Sequence, residues 1–284
     1  MGLKQQLRRT FRGPGKYIQA VWRWKRLSFN EAPPIFGNSK PKSGSHLLLQ
    51  VLAGFTQIMP YAYVAAEPIR TIEKSGKRRT ADDIATDLRR LSRGVIGWGY
   101  VEASPENVAV LCQPERVNYF IYRDPRDMLV SQVFFATDMY EEHGMHKFYK
   151  SLHDFGERLN VAITGIDRDG LKMVSVKQRY EGVFQWLEQP HGMCIRFEDL
   201  VNNRDATLDA MLDEVEKTGY EIPTPRRKAL GILVAAIQPK KSHTFRLGKT
   251  GGWKEYFSEE HKKLFKEIAG DLLVKLGYEE DNNW

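Results

Sequence analysis

The chain has 284 residues, 43 of them Lys or Arg against 36 Asp or Glu, and 42% hydrophobic side chains, enough for one large α/β core. The formal charge of +7 favours anionic partners, while Cys112 and Cys194 are too few and too isolated for a disulfide scaffold or a zinc site. No internal repeat, low-complexity tract, secretory signal or apolar run of about eighteen residues is found, so the expectation is a soluble, cytoplasmic protein without a membrane span.

Residues 1–30 read as a basic extension, with Lys4, Arg8, Arg9, Arg12, Lys16, Arg23, Lys25 and Arg26, ahead of a single domain over 31–284. Ile18, Ala20, Val21 and Trp22 lie among these cations. Packing against the domain is the favoured fate of that stretch, and a weak contact with a membrane surface is the lesser one. A second basic segment, Lys74 to Arg79, reads as a solvated face. The first informative stretch runs from Pro34 to Phe55. A short apolar run ends in a polar turn, after which Leu47, Leu48, Val51, Leu52 and Phe55 recur at helical spacing. That is strand, loop, helix, with Ser43, Gly44 and Ser45 at a helix start, where backbone N–H groups and the dipole favour an anion.

The stretch from Val117 to Phe135 repeats the pattern. An aromatic and β-branched run gives way to Arg123-Asp-Pro-Arg-Asp127, with Asp124 as N-cap and Pro125 at the first helical position. Ser131 then lies about two turns along. Later come a short strand from Met193 to Phe197, a helix with Leu208, Met211, Leu212 and Val215 on one face, and a helix after Pro225. A last helix starts at Ser258, with Glu259 and Glu260 at its positive end, and is expected to bury Leu264, Ile268, Leu272 and Leu276. The loop from His243 to Lys254 is too rich in glycine and cations to be mere connection. Alternating strands and helices predict an α/β fold with a central parallel sheet, helices on both faces and ligands at the strand C-termini.

The loop Lys40 to Ser45 invites comparison with the triphosphatase P-loop, G-x-x-x-x-G-K-[S/T]. Aligning Lys42-Ser43 on that lysine and hydroxyl places Pro41 and Phe36 where the glycines belong, and no convincing magnesium carboxylate stands out. The loop fits a phosphate handled without metal. Pro41-Lys-Ser-Gly-Ser45 resembles the P-K-S-G-T loop of cytosolic sulfotransferases, which binds the 5′-phosphosulfate end of 3′-phosphoadenosine 5′-phosphosulfate (PAPS). Arg123-Asp-Pro-Arg-Asp-Met-Leu-Val-Ser131 is similar to that family's R-[ND]-P-[RK]-D-x-x-x-S segment, Arg196-Phe-Glu-Asp-Leu200 to R-Y-E-D-L, and Arg246-Leu-Gly-Lys-Thr-Gly-Gly-Trp-Lys254 to R-K-G-x-x-G-D-W-K. The four segments keep the family's order and spacing from about Pro34 onward.

The resemblance implies transfer of a sulfonate group from PAPS, as co-substrate and without a metal, to a hydroxyl or amine of a small-molecule acceptor. It implies Lys42 as the central catalytic cation, with Ser43, Gly44, Ser45 and His46 as further donors to phosphate and sulfonate oxygens. Arg123, Ser131, Arg246, Leu247 and Gly248 are implied around the 3′-phosphate, and Leu47 and Phe197 around the adenine, where the family has tryptophan and tyrosine. The family's general-base histidine has no counterpart: Gly97-Trp-Gly-Tyr-Val-Glu102 aligns Tyr100 with it. Glu102, Tyr100 and His46 therefore compete for the role, with Glu102 slightly ahead because tyrosine, with an ordinary pKa of about 10, is a poor base near neutrality.

By family analogy residues 56–93 and 136–154 line the acceptor side. The second carries Asp138, Glu141, Glu142, His143 and His146, acids that suit a cationic acceptor such as a natural-product alkaloid, although a solvated face is the simpler reading. A homodimer is compatible with the chain, and no motif supports nucleic-acid binding. The competing readings are a catalytically silent nucleotide-binding protein on the same fold and a P-loop kinase.

Overall fold

The expected strand before the phosphate loop forms as β1 (Ile35–Ser39), buried at all five positions, and the helix after the loop forms as α1 (Ser45–Ile58). The computed structural model describes residues 15, 18–25, 28–73, 75–168, 170–238 and 250–284. Contacts within the chain fall into two compact units, Met1–Tyr122 with Glu188–Pro239, and Arg123–Leu187 with Lys240–Trp284. Each unit is drawn from two stretches of sequence.

The first unit holds the sheet. Its strands are β1, β2 (Tyr63–Val64), β3 (Ile69–Arg70), β4 (Val95–Tyr100), β5 (Val117–Tyr122) and β8 (Met193–Arg196). The order is β2-β4-β1-β5-β8, with β3 also on β4, and every pairing is parallel. Interior β5, between β1 and β8, is buried throughout, which explains its unbroken aromatic and β-branched sequence. Between the strands run α2 (Ala81–Arg89, capped by Thr80) and α3 (Pro105–Leu111, capped by Ser104). After β8 come α8 (Phe197–Asn202), α9 (Arg204–Glu216) and α10 (Arg226–Ala236). Ile35, Val117, Tyr119 and Ile121 share one core with α1, α9 and α10. Phe36 alternates to the opposite side, where Leu91, just past α2, closes on Gly97.

The second unit contains α4 (Pro125–Phe134), a π-helical turn (Phe135–Met139), α5 (His146–Ser151), α6 (Phe155–Thr164), an antiparallel pair β6 (Ile166–Arg168) and β7 (Leu171–Met173), and α7 (Val176–Leu187). A 3₁₀ turn (Gly252–Glu255), α11 (Glu259–Ala269) and α12 (Leu272–Lys275) complete it. α11 packs on α6 and α7, and α4 packs on α6.

The C-terminal helix differs from expectation. Ser258 caps it as foreseen, and His261 takes the third position of a capping box in place of a carboxylate. Gly270, at φ 60, ends the helix, and a separate turn carries Leu272 and Leu276 into the core. Within α11 the buried residues are Phe265 and Ala269 rather than Leu264 and Ile268, because the inward face is rotated by one residue. Neither cysteine is in a disulfide, and burial pushes their thiols up, Cys112 to about 11 and Cys194 to about 12, away from the reactive thiolate range.

Candidate functional site

β1 delivers the chain to the loop at the C-terminal edge of the sheet. Lys42 follows at φ 67, the sole non-glycine residue with positive φ among the described residues. A left-handed lysine costs about 1–2 kcal/mol, a strain that the loop tolerates at its only such position. Gly44 stands at φ 100 and ψ 17 as the N-cap of α1. Any Cβ there would lie 2.6 Å from Phe197 and 3.0 Å from Ile121, so glycine is required twice over, by conformation and by space. Having no side chain, Gly44 cannot cap the first amides of α1, whose ends point out of the helix. Ser43 is fully buried, and its Oγ has no hydrogen-bond partner among the described residues. An orphaned buried hydroxyl beside an uncapped helix start and a flanking lysine suits an anion with several oxygens.

The alignment candidates for the base stand differently. Tyr100, the last residue of β4, donates its hydroxyl to Ser45 Oγ at 3.1 Å, and Arg70 stacks over its ring at 4.9 Å. Glu102 is half-buried, and its carboxylate accepts from Nη1 and Nη2 of the Arg78 guanidinium. His46 is exposed on the first turn of α1. Tyr100 is therefore tied to the loop itself, whereas Glu102 already has a cationic partner. Leu47 is partly buried against the main core, and Phe197 opens α8 instead of ending β8, its ring packed under Gly44.

A residue that the motifs passed over holds these pieces in register. Asn38 is fully buried, donates to the Val101 carbonyl at 2.9 Å and accepts from the Val101 amide at 2.9 Å. Its oxygen also accepts from the Ser39 amide at 3.0 Å. One amide side chain thus fastens the end of β1, where the loop begins, to the residue between Tyr100 and Glu102. Each such bond contributes about 1 kcal/mol net. Nothing in the sequence distinguishes Asn38 from a turn asparagine.

In the second unit, Arg123 precedes the N-cap of α4 and Ser131 lies two turns along that helix. The Arg123 carbonyl accepts from the Tyr180 hydroxyl at 2.8 Å, and its guanidinium lies 3.6 Å from Asp127. Asp127 is buried and also accepts from the amides of Gly251 and Trp253, each at 2.8 Å. Burial pushes its carboxyl up from the usual aspartate range, against the pull of Arg123 and those amides. Arg126 is 3% exposed, bound to Asp124 at 2.7 Å and to Glu279, and lies 3.9 Å from the Trp253 ring and 4.6 Å from that of Trp284. The Arg-Asp-Pro-Arg-Asp segment is thus the anchor of the C-terminal stretch. Arg246, Leu247 and Gly248, named from the same motif logic, lie outside the described residues.

No protein-family model and no curated protein matches the chain. Solved structures do. The mouse sulfotransferase SULT7A1 complexed with PAP is 16% identical, with 93% of this chain and 93% of that chain covered and a TM-score of 0.57. Retinol dehydratase in complex with androsterone and the inactive cofactor PAP is 14% identical, covering 91% and 85% at a TM-score of 0.57. The same enzyme with retinol and PAP gives 14%, 91%, 86% and 0.52. This chain has the sulfotransferase fold. Within that fold the strained Lys42 and left-handed Gly44 lie between β1 and α1. Among the described residues no cluster of His, Cys, Asp or Glu could hold a metal ion, and no helix is long and apolar enough to cross a membrane.

Proposed function

We propose that this protein is a sulfotransferase, moving a sulfonate group from PAPS to a hydroxyl or amine of a small-molecule acceptor. The observation that carries the reading is the loop: a strained lysine, an obligatory left-handed glycine and an orphaned buried serine hydroxyl at a helix start. The fold supports it, since its solved examples hold PAP, the product of that transfer. The P-loop kinase reading lacks both P-loop glycines.

In the proposed reaction the acceptor's oxygen or nitrogen bonds to sulfur, the bond from sulfur to the bridging oxygen breaks, PAP departs, and the acceptor's proton goes to a base. Negative charge grows on the departing oxygen. Lys42 neutralises that charge, and Ser43, Ser45 and the first amides of α1 hold phosphate oxygens. Arg123 and Ser131 take the 3′-phosphate, with Arg246, Leu247 and Gly248 completing that grip, and bidentate arginine contacts suit such a group. Leu47 and Phe197 supply apolar surface for the adenine. Among the rival bases, the hydrogen bond to Ser45 favours Tyr100, while the Glu102 carboxylate is already engaged by Arg78. A cationic small molecule such as an alkaloid is the acceptor class suggested by Asp138, Glu141 and Glu142, all exposed.

Transfer of labelled sulfonate from PAPS, scored over a panel of phenols, alcohols and amines, tests the reading. Tyr100→Phe is expected to lower kcat by about a hundredfold, Glu102→Gln and His46→Ala by less than about tenfold. Near wild-type turnover in all three variants would remove every one of them as the base, and no transfer to any acceptor would favour the silent nucleotide binder.

A further inference from the structure

The chain's charge is unevenly placed. Residues 1–30 contain eight Lys or Arg and no Asp or Glu, the first carboxylate being Glu31. Because the whole chain carries only +7, the remainder is close to neutral. A basic stretch by itself is commonly a solvated face, but here an unusual helical surface lies within it in the sequence.

Residues 18–23 are helical, and the helix is fastened on one side. Ala20 is buried, and Arg23 and the indole N–H of Trp24 both donate to the Thr56 carbonyl near the end of α1, at 3.3 and 3.4 Å. The other side carries Ile18, Val21 and Trp22, at i, i+3 and i+4, which share a face of any α-helix. They are 56%, 42% and 68% exposed. Among the described residues only seven large hydrophobic side chains are exposed, and three of them stand on this single turn. Lys25 lies 4.9 Å over the Trp22 ring, so the apolar face has a cation at its edge.

We propose that this face docks the protein on an anionic lipid surface. Branched aliphatic side chains and a tryptophan enter the headgroup boundary, where an amphipathic indole is favoured, while the surrounding Lys and Arg meet acidic headgroups. The carboxylate-free composition of the segment is what such a surface selects, since any acid there would be repelled. Nucleic acid would use the same cations but gains nothing from an exposed isoleucine and valine. The tether to Thr56 fixes the helix to the first unit, so docking needs no unfolding of the sheet.

Sedimentation of the full chain with vesicles provides the test. On vesicles of equal parts phosphatidylcholine and phosphatidylserine, partitioning is expected to exceed that on pure phosphatidylcholine by about tenfold or more, and to fall steeply with salt. The triple variant Ile18→Ser, Val21→Ser, Trp22→Ser should lose about tenfold in partitioning while keeping the wild-type melting temperature, because all three side chains are solvent-facing. Equal binding to neutral and anionic vesicles, or none, would overturn the proposal. So would a folded triple variant that binds as tightly as wild type, or duplex DNA bound more tightly than vesicles and unaffected by the three changes. Should the triple variant melt early, the lipid and salt dependence of the wild-type chain decides alone.

Discussion

Lys42→Ala is expected to lower the rate of sulfonate transfer by about a thousandfold while weakening PAP binding by less than about tenfold. The split follows from where charge appears. A lysine that neutralises an oxygen becoming anionic only as the sulfur bond breaks is worth more in the transition state than in the ground state, so kcat carries the loss. The backbone gives an independent control. Lys42 sits at φ 67, where a Cβ is strained and glycine is at ease. Lys42→Gly should therefore be as inactive as Lys42→Ala yet melt higher, because about 1 kcal/mol of strain is released. Steady-state kinetics beside a thermal melt reads both effects. Equal kcat losses with a raised melting temperature in the glycine variant alone would separate the charge of this residue from its conformation, and retained turnover in either variant would mean that another group meets the leaving oxygen.

Asp127→Ala is the structural counterpart. The carboxylate is buried, bonds two amides of the C-terminal stretch at 2.8 Å and lies 3.6 Å from Arg123. Truncation strands two amides and leaves the Arg123 guanidinium without this carboxylate, a combination expected to cost about 3 kcal/mol of stability. Asp127→Asn keeps an acceptor oxygen for one of the two amides, and should cost about half as much. If Arg123 grips the donor's 3′-phosphate, both variants should also raise the KM for PAPS by about tenfold or more, with acceptor KM little changed. Denaturant unfolding and donor-saturation curves check the two claims separately. An alanine variant unfolding at the wild-type midpoint would show that the amides find other acceptors.

Much of the framework was legible because burial and punctuation coincide. β1 and β5 are buried runs that break sharply into polar turns, and the Gly44 and Asp124-Pro125 helix starts follow from conformational preferences that need no tertiary context. β4 was not legible. Gly97 and Gly99 interrupt its apolar pattern, for reasons visible only in space: Leu91 closes on Gly97, and a Cβ at Gly99 would sit 2.1 Å from the Ile69 carbonyl. Residues 56–93 and 136–154, expected to line the acceptor side, hold β2, β3, α2, most of the π-helical turn and α5, elements too short for a sustained period to stand out. Within the site, motif residues could be named, but their couplings could not. Asn38 fastening Val101, Asp127 bonding Gly251 and Trp253, and Arg126 lying against Trp253 and Trp284 pair residues from 63 to 158 positions apart, which no local pattern encodes.

Calorimetric titration of the protein with PAP, beside ATP in the presence of Mg²⁺, bears most directly on the loop's chemistry. PAP is predicted to bind one-to-one and at least about tenfold more tightly than ATP, without any dependence on magnesium. Preference for ATP with Mg²⁺, or no binding of PAP, would contradict the assignment of this loop to a phosphosulfate donor.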